Sequence, residues 1–215
     1  MKHLIVAAHP SASSFTMALT QLYATELERL GHTQCTSDLY RMRFNPILGA
    51  EELTAADTGG VADLSARALP ADLAQAQRHV READVLTAIY PLWWLSMPAI
   101  MKGYIDRVFA RGFAYESAEG IVRGLLTGKK CVLITLSGAP LTVLAQNGRW
   151  SAVQALQDTH IFRSAGFEVL EHLHLDQVQP NLPVAVAERH FARILDCARQ
   201  HFSGATVRAP AQAIG

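Results

Sequence analysis

The sequence predicts a single α/β domain in which a five-stranded parallel sheet carries helices on both faces. Short apolar runs alternate with segments of helical spacing along most of the 215 residues, and this order favours parallel strands joined by crossover helices. Half of the residues are hydrophobic and 18% are charged, which supplies enough apolar material for one large core. Unusual polar and aromatic residues follow three of the apolar runs, where ligands bind in such sheets.

The element boundaries follow from periodicity and from turn residues. The predicted strands are short, apolar and bounded by turns, and they cover 3–9, 33–40, 84–91, 129–138 and 167–175. The predicted helices repeat apolar residues every three or four positions, and they cover 14–30, 71–82, 97–109 and 183–202. Residues 41–70 lack clear periodicity, so we expect a long loop with short helical pieces. Residues 1–202 then form the domain, and we expect 203–215 to be a mobile tail.

Composition and charge narrow the classes of partner. The formal net charge is zero, which gives no sign of a nucleic-acid partner, and no apolar run approaches the roughly 18–20 residues of a membrane span. The apolar run at the N-terminus ends at His9 and Pro10, so we interpret it as a strand rather than a signal peptide. Cys35, Cys131 and Cys197 lack metal-binding spacing, and we expect buried, reduced thiols in a cytoplasmic protein.

The loop after the first strand, HPSASSFT (9–16), opens a helix. A helix N-terminus presents unpaired N–H groups and a partial positive charge, so it can hold a phosphate. The hydroxyls of Ser13, Ser14 and Thr16 and the imidazole of His9 add further donors. The same serines can also cap the helix without any ligand. The chain contains no GxGxxG and no GxxxxGK[ST] motif, which argues against a nicotinamide-type Rossmann site or a P-loop.

Two adjacent tryptophans mark the loop after the third strand, PLWWLSMP (91–98). Neighbouring side chains of a strand point to opposite faces, so one core does not easily hold both Trp93 and Trp94, and we expect a turn that faces a ligand. The loop after the fourth strand, TLSGAP (135–140), adds Gly138, where backbone can approach a ligand closely. A phosphate at the first loop and a planar ring between the other two describe a flavin nucleotide in a flavodoxin-like sheet.

Four segments resemble the NAD(P)H:quinone reductase (DT-diaphorase-like) family, namely HPSASSF, DLYRMRFNPIL, YPLWWLSMPAIMKGYIDRVFARGFAY and GFEVLE. The similarity runs from residue 3 to about residue 175. It implies a flavodoxin-like, doubly wound sheet of order 2-1-3-4-5, a bound flavin and two-electron reduction of quinones by NAD(P)H. It also implies ping-pong kinetics with hydride transfer through flavin N5, and a homodimer with both active sites at the subunit interface.

The loops and the resemblance together select the site residues. The predicted cofactor-binding residues are His9, Ser14, Phe15, Thr16, Pro91, Leu92, Trp93, Trp94, Leu95, Thr135, Leu136, Ser137 and Gly138. Trp94 matches the aromatic residue that stacks on the flavin ring. The resemblance assigns Ala114, Tyr115 and Glu116 to the substrate pocket, often that of the partner subunit. The insert after FNP is similar to one that holds the adenosine half of FAD but is shorter. We therefore expect FAD with FMN as the alternative, NAD(P)H as co-substrate, and no metal.

The chain departs from the family in its proton chemistry. Family members place a Tyr and a His after the second flavin loop, where they assist hydride transfer, and these positions fall near Val143 and Arg149. No Tyr or His lies between Tyr115 and His160. Arg149 is the predicted catalytic substitute, because a fixed cation can stabilise the anionic N1–O2 edge of a flavin. A surface arginine without a catalytic role, at the start of a helix, would give the same sequence pattern. Two further histidines, in HLH (172–174), are expected to be exposed rather than to bind a metal.

Two other functions remain compatible with the sequence. Relatives of this family regulate bacterial potassium-efflux systems, so a regulatory flavoprotein subunit is one alternative. An azo- or nitroreductase differs only in its acceptor. A flavodoxin-type electron carrier fits less well, because those proteins are strongly acidic and this chain has no net charge. The sequence leaves open the acceptor and the choice between NADH and NADPH.

Overall fold

The computed structural model describes residues 1–53, 69–119 and 121–204. In this part of the chain the strands are β1 (Lys2–Ala7), β2 (Thr33–Asp38), β3 (Val85–Pro91), β4 (Tyr115–Ala118), β5 (Ile121–Gly124), β6 (Lys130–Leu136) and β7 (Glu168–Leu175). The helices are α1 (Phe15–Arg29), α2 (Ala71–Glu82), α3 (Ala99–Val108), α4 (Leu141–Ala145), α5 (Arg149–Gln154) and α6 (Val184–Phe202). A π-helix, Ala155–Arg163, continues α5.

Five strands pair in parallel in the order β2-β1-β3-β6-β7. This order confirms the predicted 2-1-3-4-5 sheet, since β6 and β7 are its fourth and fifth strands in the chain. Each observed strand differs from its predicted bounds by at most two residues, and α2 has the predicted bounds. The order reverses between β1 and β3, which places the crevice for a ligand beyond the carboxyl ends of these two strands.

The sheet is covered on both faces, as its continuous apolar strands require. On one face α2, α3 and the segment from α5 to the π-helix enclose a core that includes Tyr90, Met101 and Phe162. On the other face α1 and α6 pack around Tyr23 and Ile194. All seven residues of β3 are buried, so this central strand fixes the position of the loop that follows it.

Three features were not predicted. The chain between β6 and β7 forms α4, α5 and the π-helix, and β4 and β5 form a short antiparallel hairpin. Cys131 and Cys197 are buried as expected, but Cys35 is exposed because it lies on the edge strand β2. Residues 54–68 of the predicted long loop and residues 205–215 of the predicted tail lie outside the described residues. Within the described ranges, no helix is long and apolar enough to cross a membrane.

Candidate active site

The first loop closes around the start of α1. The Ser14 hydroxyl accepts the Met17 N–H at 3.3 Å, so Ser14 caps the helix. Nδ1 of His9 lies 3.1 Å from the Ser11 nitrogen and 3.2 Å from the Ser11 carbonyl oxygen, so this nitrogen is held by its own loop and Nε2 is left for a ligand. The ring stands beside a helix N-terminus, where N–H groups and the helix dipole favour an anion.

The side chains of Phe15 and Thr16 face the protein interior. The Phe15 ring lies 5.3 Å from the ring of Phe191 on α6, and Thr16 is 3% exposed. Only their backbone groups, at the first turn of α1, are therefore placed to meet a phosphate. Cofactor binding by Phe15 and Thr16 therefore stays a prediction, and it now concerns only their backbone groups.

The tryptophan loop is a two-residue turn of unusual composition. Trp93 and Ser96 exchange two backbone hydrogen bonds of 3.1 Å each, and the two residues between them, Trp94 and Leu95, have φ angles of 54° and 61°. Such turns favour Asn-Gly, because both central residues adopt the left-handed region. Large side chains held there are strained, a condition that concentrates at functional sites. The Trp94 side chain is fully exposed, at 101%, and the N–H groups of Trp94 and Leu95 take no part in the turn's own bonds.

The turn is fixed to its neighbours on both sides. Leu92, which is 8% exposed, donates its N–H to the carbonyl of Leu136 at 2.7 Å, and Pro91 pairs with Leu136 in the sheet. The His9 ring lies 6.1 Å from the Trp93 ring. The loops after β1, β3 and β6 therefore meet at one edge of the sheet, as the sequence predicts.

A cleft of about 780 Å³ extends from the first loop towards the end of β2. It is lined by polar and small residues, which are His9, Pro10, Ala12, Ser13, Ser14, Met17, Ala18, Gln21, Asp38, Tyr40 and Arg41. The cleft begins at the N-terminus of α1 and continues past it to the end of β2. Its size and position suit a nucleotide whose phosphates sit at the helix start.

A chain of side-chain hydrogen bonds begins in the loop after β6. Ser137 Oγ lies 2.9 Å from Nε2 of His174, whose Nδ1 lies 2.9 Å from Oγ1 of Thr135. Thr135 Oγ1 is also 2.9 Å from Nε2 of His172, and the Nδ1 of that ring is 2.6 Å from Asp158 Oδ1. Asp158 belongs to the π-helix, so the network joins β6, β7 and a helix that the sequence did not predict.

The expectation that His172 and His174 are exposed is wrong. The His172 side chain is 2% exposed and His174 is 3% exposed, because the ring of Trp150 lies 4.8 Å from both imidazoles. Burial, and next the proximity of His172, lower the pKa of His174 to about 4. The alternation of HLH correctly put both rings on one face, but the helices that cover this face had to be known before their burial could be inferred.

For Gly138 and Arg149, the local geometry gives less support to the predicted role in the site. Gly138 does not use a left-handed backbone, and a Cβ there would lie 3.5 Å from Gln179 Cγ, an ordinary contact. Arg149 is exposed at the start of α5, whereas its neighbour Trp150 points inward. The catalytic assignment of Arg149 therefore stays a prediction.

The predicted substrate residues lie away from the tryptophan turn. Ala114, Tyr115 and Glu116 follow the far end of α3, whose ten residues span about 15 Å. Ala114 and Tyr115 line a second groove of about 660 Å³ between α3, the β4–β5 hairpin and the π-helix. Among the described residues of one chain, this groove and the cleft beside the loop after β1 have no lining residue in common.

Comparison with known proteins places this geometry in a family. A family model described as a flavodoxin-like fold matches residues 1–201. The chain is 36% identical over 172 residues to an uncharacterized NAD(P)H oxidoreductase of Haemophilus influenzae, covering 80% of this chain and 81% of that protein. It is 36% identical over 156 residues to the ribosyldihydronicotinamide dehydrogenase (quinone) of Homo sapiens, covering 68% of each.

Solved structures agree with the sequence relatives. The NAD(P)H:quinone oxidoreductase of Methanothermobacter marburgensis superposes with a TM-score of 0.81 at 28% identity, covering 94% of this chain and 96% of that one. The chain therefore belongs to the flavodoxin-like family of NAD(P)H:quinone reductases.

Proposed function

We propose that this protein is a flavin-dependent NAD(P)H:quinone oxidoreductase. The observation that carries the proposal is the strained turn of Trp94 and Leu95, held at the switch point of the sheet in a chain of this family. A fully exposed tryptophan on a rigid left-handed turn gains nothing for folding, since its ring buries no surface. A planar ligand that stacks on the indole ring would account for both the strain of the turn and the exposure of Trp94.

The residues present fit a flavin. The free N–H groups of Trp94 and Leu95 can donate to the polar edge of the ring, and the exposed indole supplies a stacking surface. The start of α1, with Ser14 and Nε2 of His9, suits the phosphates. The loop from Thr135 to Gly138 approaches from the other side of the turn, because Leu92 is bonded to Leu136.

The cleft supports FAD over FMN. A mononucleotide would end at its single phosphate, but the cleft of about 780 Å³ continues to Tyr40 and Arg41, with room for a second phosphate and an adenosine. FMN remains the alternative, and mass spectrometry of the group released from purified protein decides between the two. A mass of FMN alone would overturn the assignment of the cleft.

A bound flavin would supply hydride transfer between NAD(P)H and a quinone that occupy one pocket in turn, which predicts ping-pong kinetics. The chain's own residues then have three tasks. Trp94 and Leu95 fix the plane and edge of the ring, the α1 N-terminus holds its phosphates, and the hydrogen bond from Leu92 to Leu136 keeps the loops after β3 and β6 in position. Parallel lines in double-reciprocal plots of initial rates are expected, and intersecting lines would contradict a shared pocket.

The decisive test replaces Trp94 by Asn. Asparagine tolerates the left-handed region, so the turn persists while the stacking surface is lost. Loss of one aromatic stack, worth about 1–3 kcal/mol, should weaken flavin affinity by about 5-fold to 150-fold, as measured by absorbance titration. NAD(P)H oxidation with menadione should fall in parallel at limiting flavin.

Arg43→Asn is the matched control, because Arg43 is another exposed, non-glycine residue with a positive φ of 52°. The Arg43 side chain does not line the cleft, so the flavin affinity of this variant should equal that of the unaltered protein. Equal affinity in both variants would remove the ring site from the turn. Failure of the unaltered protein to bind any flavin would overturn the function itself.

We also propose that a second copy of the chain covers the groove beside α3. Val122 and Leu156 line this groove, and they are 54% and 47% exposed, an apolar surface of the kind that marks an interface. A homodimer would also bring Tyr115 to the partner's ligand loops, which it does not reach in its own chain. Leu156→Asp should give a monomer by sedimentation, whereas Val184→Asp, at an exposed residue on α6 (73%), should not.

The free cysteines support a reducing, cytoplasmic location.

A further inference from the structure

The hydrogen-bonded chain from Asp158 to Ser137 has a property that ordinary buried networks lack. Between the terminal carboxylate and the terminal hydroxyl, its links are two imidazoles and one further hydroxyl. A neutral imidazole donates at one nitrogen and accepts at the other, and a hydroxyl can do both. Such a chain can be satisfied in either of two directions, and the two directions differ by one proton.

In the first direction no extra proton is present. Asp158 accepts from Nδ1–H of His172, and Nε2 of this ring accepts the hydroxyl proton of Thr135. The Thr135 oxygen accepts from Nδ1–H of His174, and Nε2 of this second ring accepts the hydroxyl proton of Ser137. Both histidines are neutral, and every internal hydrogen bond points towards Asp158.

In the second direction one proton has been added and the bonds between His172 and Ser137 are reversed. Ser137 now donates to the carbonyl of Ala139, which lies 2.8 Å away, and accepts from Nε2–H of His174. At the other end His172 carries a proton on both nitrogens and stands beside the Asp158 carboxylate. The alternative acceptor at Ala139 is what allows the chain to reverse without leaving Ser137 unsatisfied.

We propose that these five groups form a proton relay that exchanges one proton with the ligand at the loop after β6, through Ser137, and holds it on the His172–Asp158 pair. The inference rests on the proposed function. Reduction of a quinone by NAD(P)H oxidises the nicotinamide and transfers one hydride, and the second hydrogen of the hydroquinone must arrive as a proton. As Ser137 releases its proton, each O–H or N–H bond broken along the chain is replaced by one formed, and His172 becomes neutral. Solvent then restores the proton.

The surroundings of Asp158 favour holding a proton there. Tyr90 faces it from β3 and Cys131 from β6, and burial raises the pKa of each well above its usual value. Tyr90 also donates to Gln157 at 2.7 Å, so it does not compete for the carboxylate. Asp158 therefore meets neutral groups on these two strands, and its charge is available to stabilise an imidazolium at His172.

The middle of the relay is kept neutral. Burial and the nearby His172 lower the pKa of His174 to about 4, although Asp176 acts in the opposite direction. Arg193 and His190, which face it from α6, add to the lowering. A ring that does not retain the proton passes it on, so the proton rests at the end that has a carboxylate.

The test breaks the relay at its centre. Thr135→Val keeps the shape of the side chain and both histidines but removes the hydroxyl that joins them. Thr87→Val is the matched control, because Thr87 is an equally buried threonine of the adjacent strand β3 whose hydroxyl donates to Tyr23 at 3.3 Å. Ser137→Ala, in the loop, removes the entry point and serves if the buried variant does not fold.

The first measurement is NMR of the histidine ring nitrogens, without NAD(P)H or quinone. In the unaltered protein and in Thr87→Val, the signals of His172 and His174 should change together with pH, with one common midpoint, because one proton reverses the whole chain. In Thr135→Val the two midpoints should separate. A common midpoint that survives in Thr135→Val would overturn the relay.

The second measurement compares two acceptors. A quinone needs a proton, whereas ferricyanide takes only electrons, so the ratio of quinone to ferricyanide rates should fall about tenfold or more in Thr135→Val and in Ser137→Ala. The ratio should not change in Thr87→Val, and an unchanged ratio in the relay variants would count against the proposal. If even the unaltered protein reduces neither acceptor, the proposed function fails, and the NMR result still decides whether the relay exists.

Discussion

Two buried polar networks on the same face of the sheet differ in what their groups can do. In the first, Arg107 on α3 is 2% exposed and donates to Glu52 at 2.8 Å, to Asp72 at 2.6 Å and to the carbonyl of Asn45 at 2.7 Å. Its guanidinium also lies 5.0 Å from the Phe44 ring. This network fastens the loop after β2 and the start of α2 to α3. The second is the relay from Asp158 to Ser137.

The difference lies in whether the groups can exchange a proton. Burial acts to lower the pKa of Arg107, but its hydrogen bonds to Asp72 and Glu52 outweigh burial and raise that pKa above its usual value. The same hydrogen bond with Arg107 lowers the pKa of Asp72. Every bond in this network has one fixed direction at neutral pH, so it can only hold its elements in place. The relay can reverse, so equal burial serves a different purpose.

The largest effect is expected from Arg107→Leu. The change leaves the Glu52 carboxylate, whose side chain is 3% exposed, buried without a cation. Breaking a buried pair in this way is expected to lower the free energy of unfolding by about 3–5 kcal/mol, measured by urea denaturation. The histidine NMR signals of the relay should be unchanged once the variant is folded.

Arg123→Leu provides the comparison at the surface. Arg123 pairs with Glu116 at 3.4 Å, and both side chains are more than half exposed, so its loss should change stability by no more than about 0.5 kcal/mol. If Arg107→Leu lowered the free energy of unfolding as little as Arg123→Leu, the first network would not hold its elements in place. The contrast with the relay would then fail.

A smaller effect on stability is expected from Asp158→Asn. The amide oxygen can still accept from Nδ1–H of His172, so unfolding should become easier by only about 1–2 kcal/mol. The extra proton loses its counter-charge, however, and the quinone-to-ferricyanide ratio should fall as in Thr135→Val. If Asp158→Asn lost as much stability as Arg107→Leu and kept the quinone-to-ferricyanide ratio, the second network would also serve only to hold the structure together.

The sheet and its ligand edge were predictable because their signals are local. Continuous apolar runs such as β3 specify strands that are buried on both faces, and turn residues mark their ends. The order of strands along the chain then puts Trp94 and Gly138 at one edge whatever the helices do. The position of the strained turn was predictable from sequence, although its left-handed backbone was not.

The two networks were not predictable because each depends on contacts between distant segments. Arg107 has the spacing of a surface residue on a helix, and only the packing of 45–52 against α3 buries it. The helices that cover His172 are interrupted by left-handed residues at Asn147 and Gly148 and continue as a π-helix, so their apolar spacing has no single period. The hairpin β4–β5 has strands of four mostly exposed residues, too short for alternation to stand out.

A third buried histidine, which belongs to neither network, sharpens the comparison through pH. His3 is 2% exposed, and its ring lies 4.7 Å from that of Phe202 and 5.0 Å from that of His32. Neither of its ring nitrogens has a hydrogen-bond partner among the described residues. Burial is the main reason that its pKa falls to about 3, with smaller contributions from His32 and the N-terminal ammonium, while Asp84 acts in the opposite direction.

The sign of the pH dependence follows from this depressed value. Below pH 6.5 the unfolded chain takes up a proton at His3, whereas the folded protein does not until about pH 3. The free energy of unfolding therefore falls as the pH drops below 6.5. His3→Phe removes this loss together with two unpaired nitrogens. We expect the variant to be at least as stable as the original at pH 7.5, with its advantage growing by about 2 kcal/mol at pH 5, in urea denaturation at both pH values. An advantage that stays constant between the two pH values would contradict the low pKa of His3 in the folded protein.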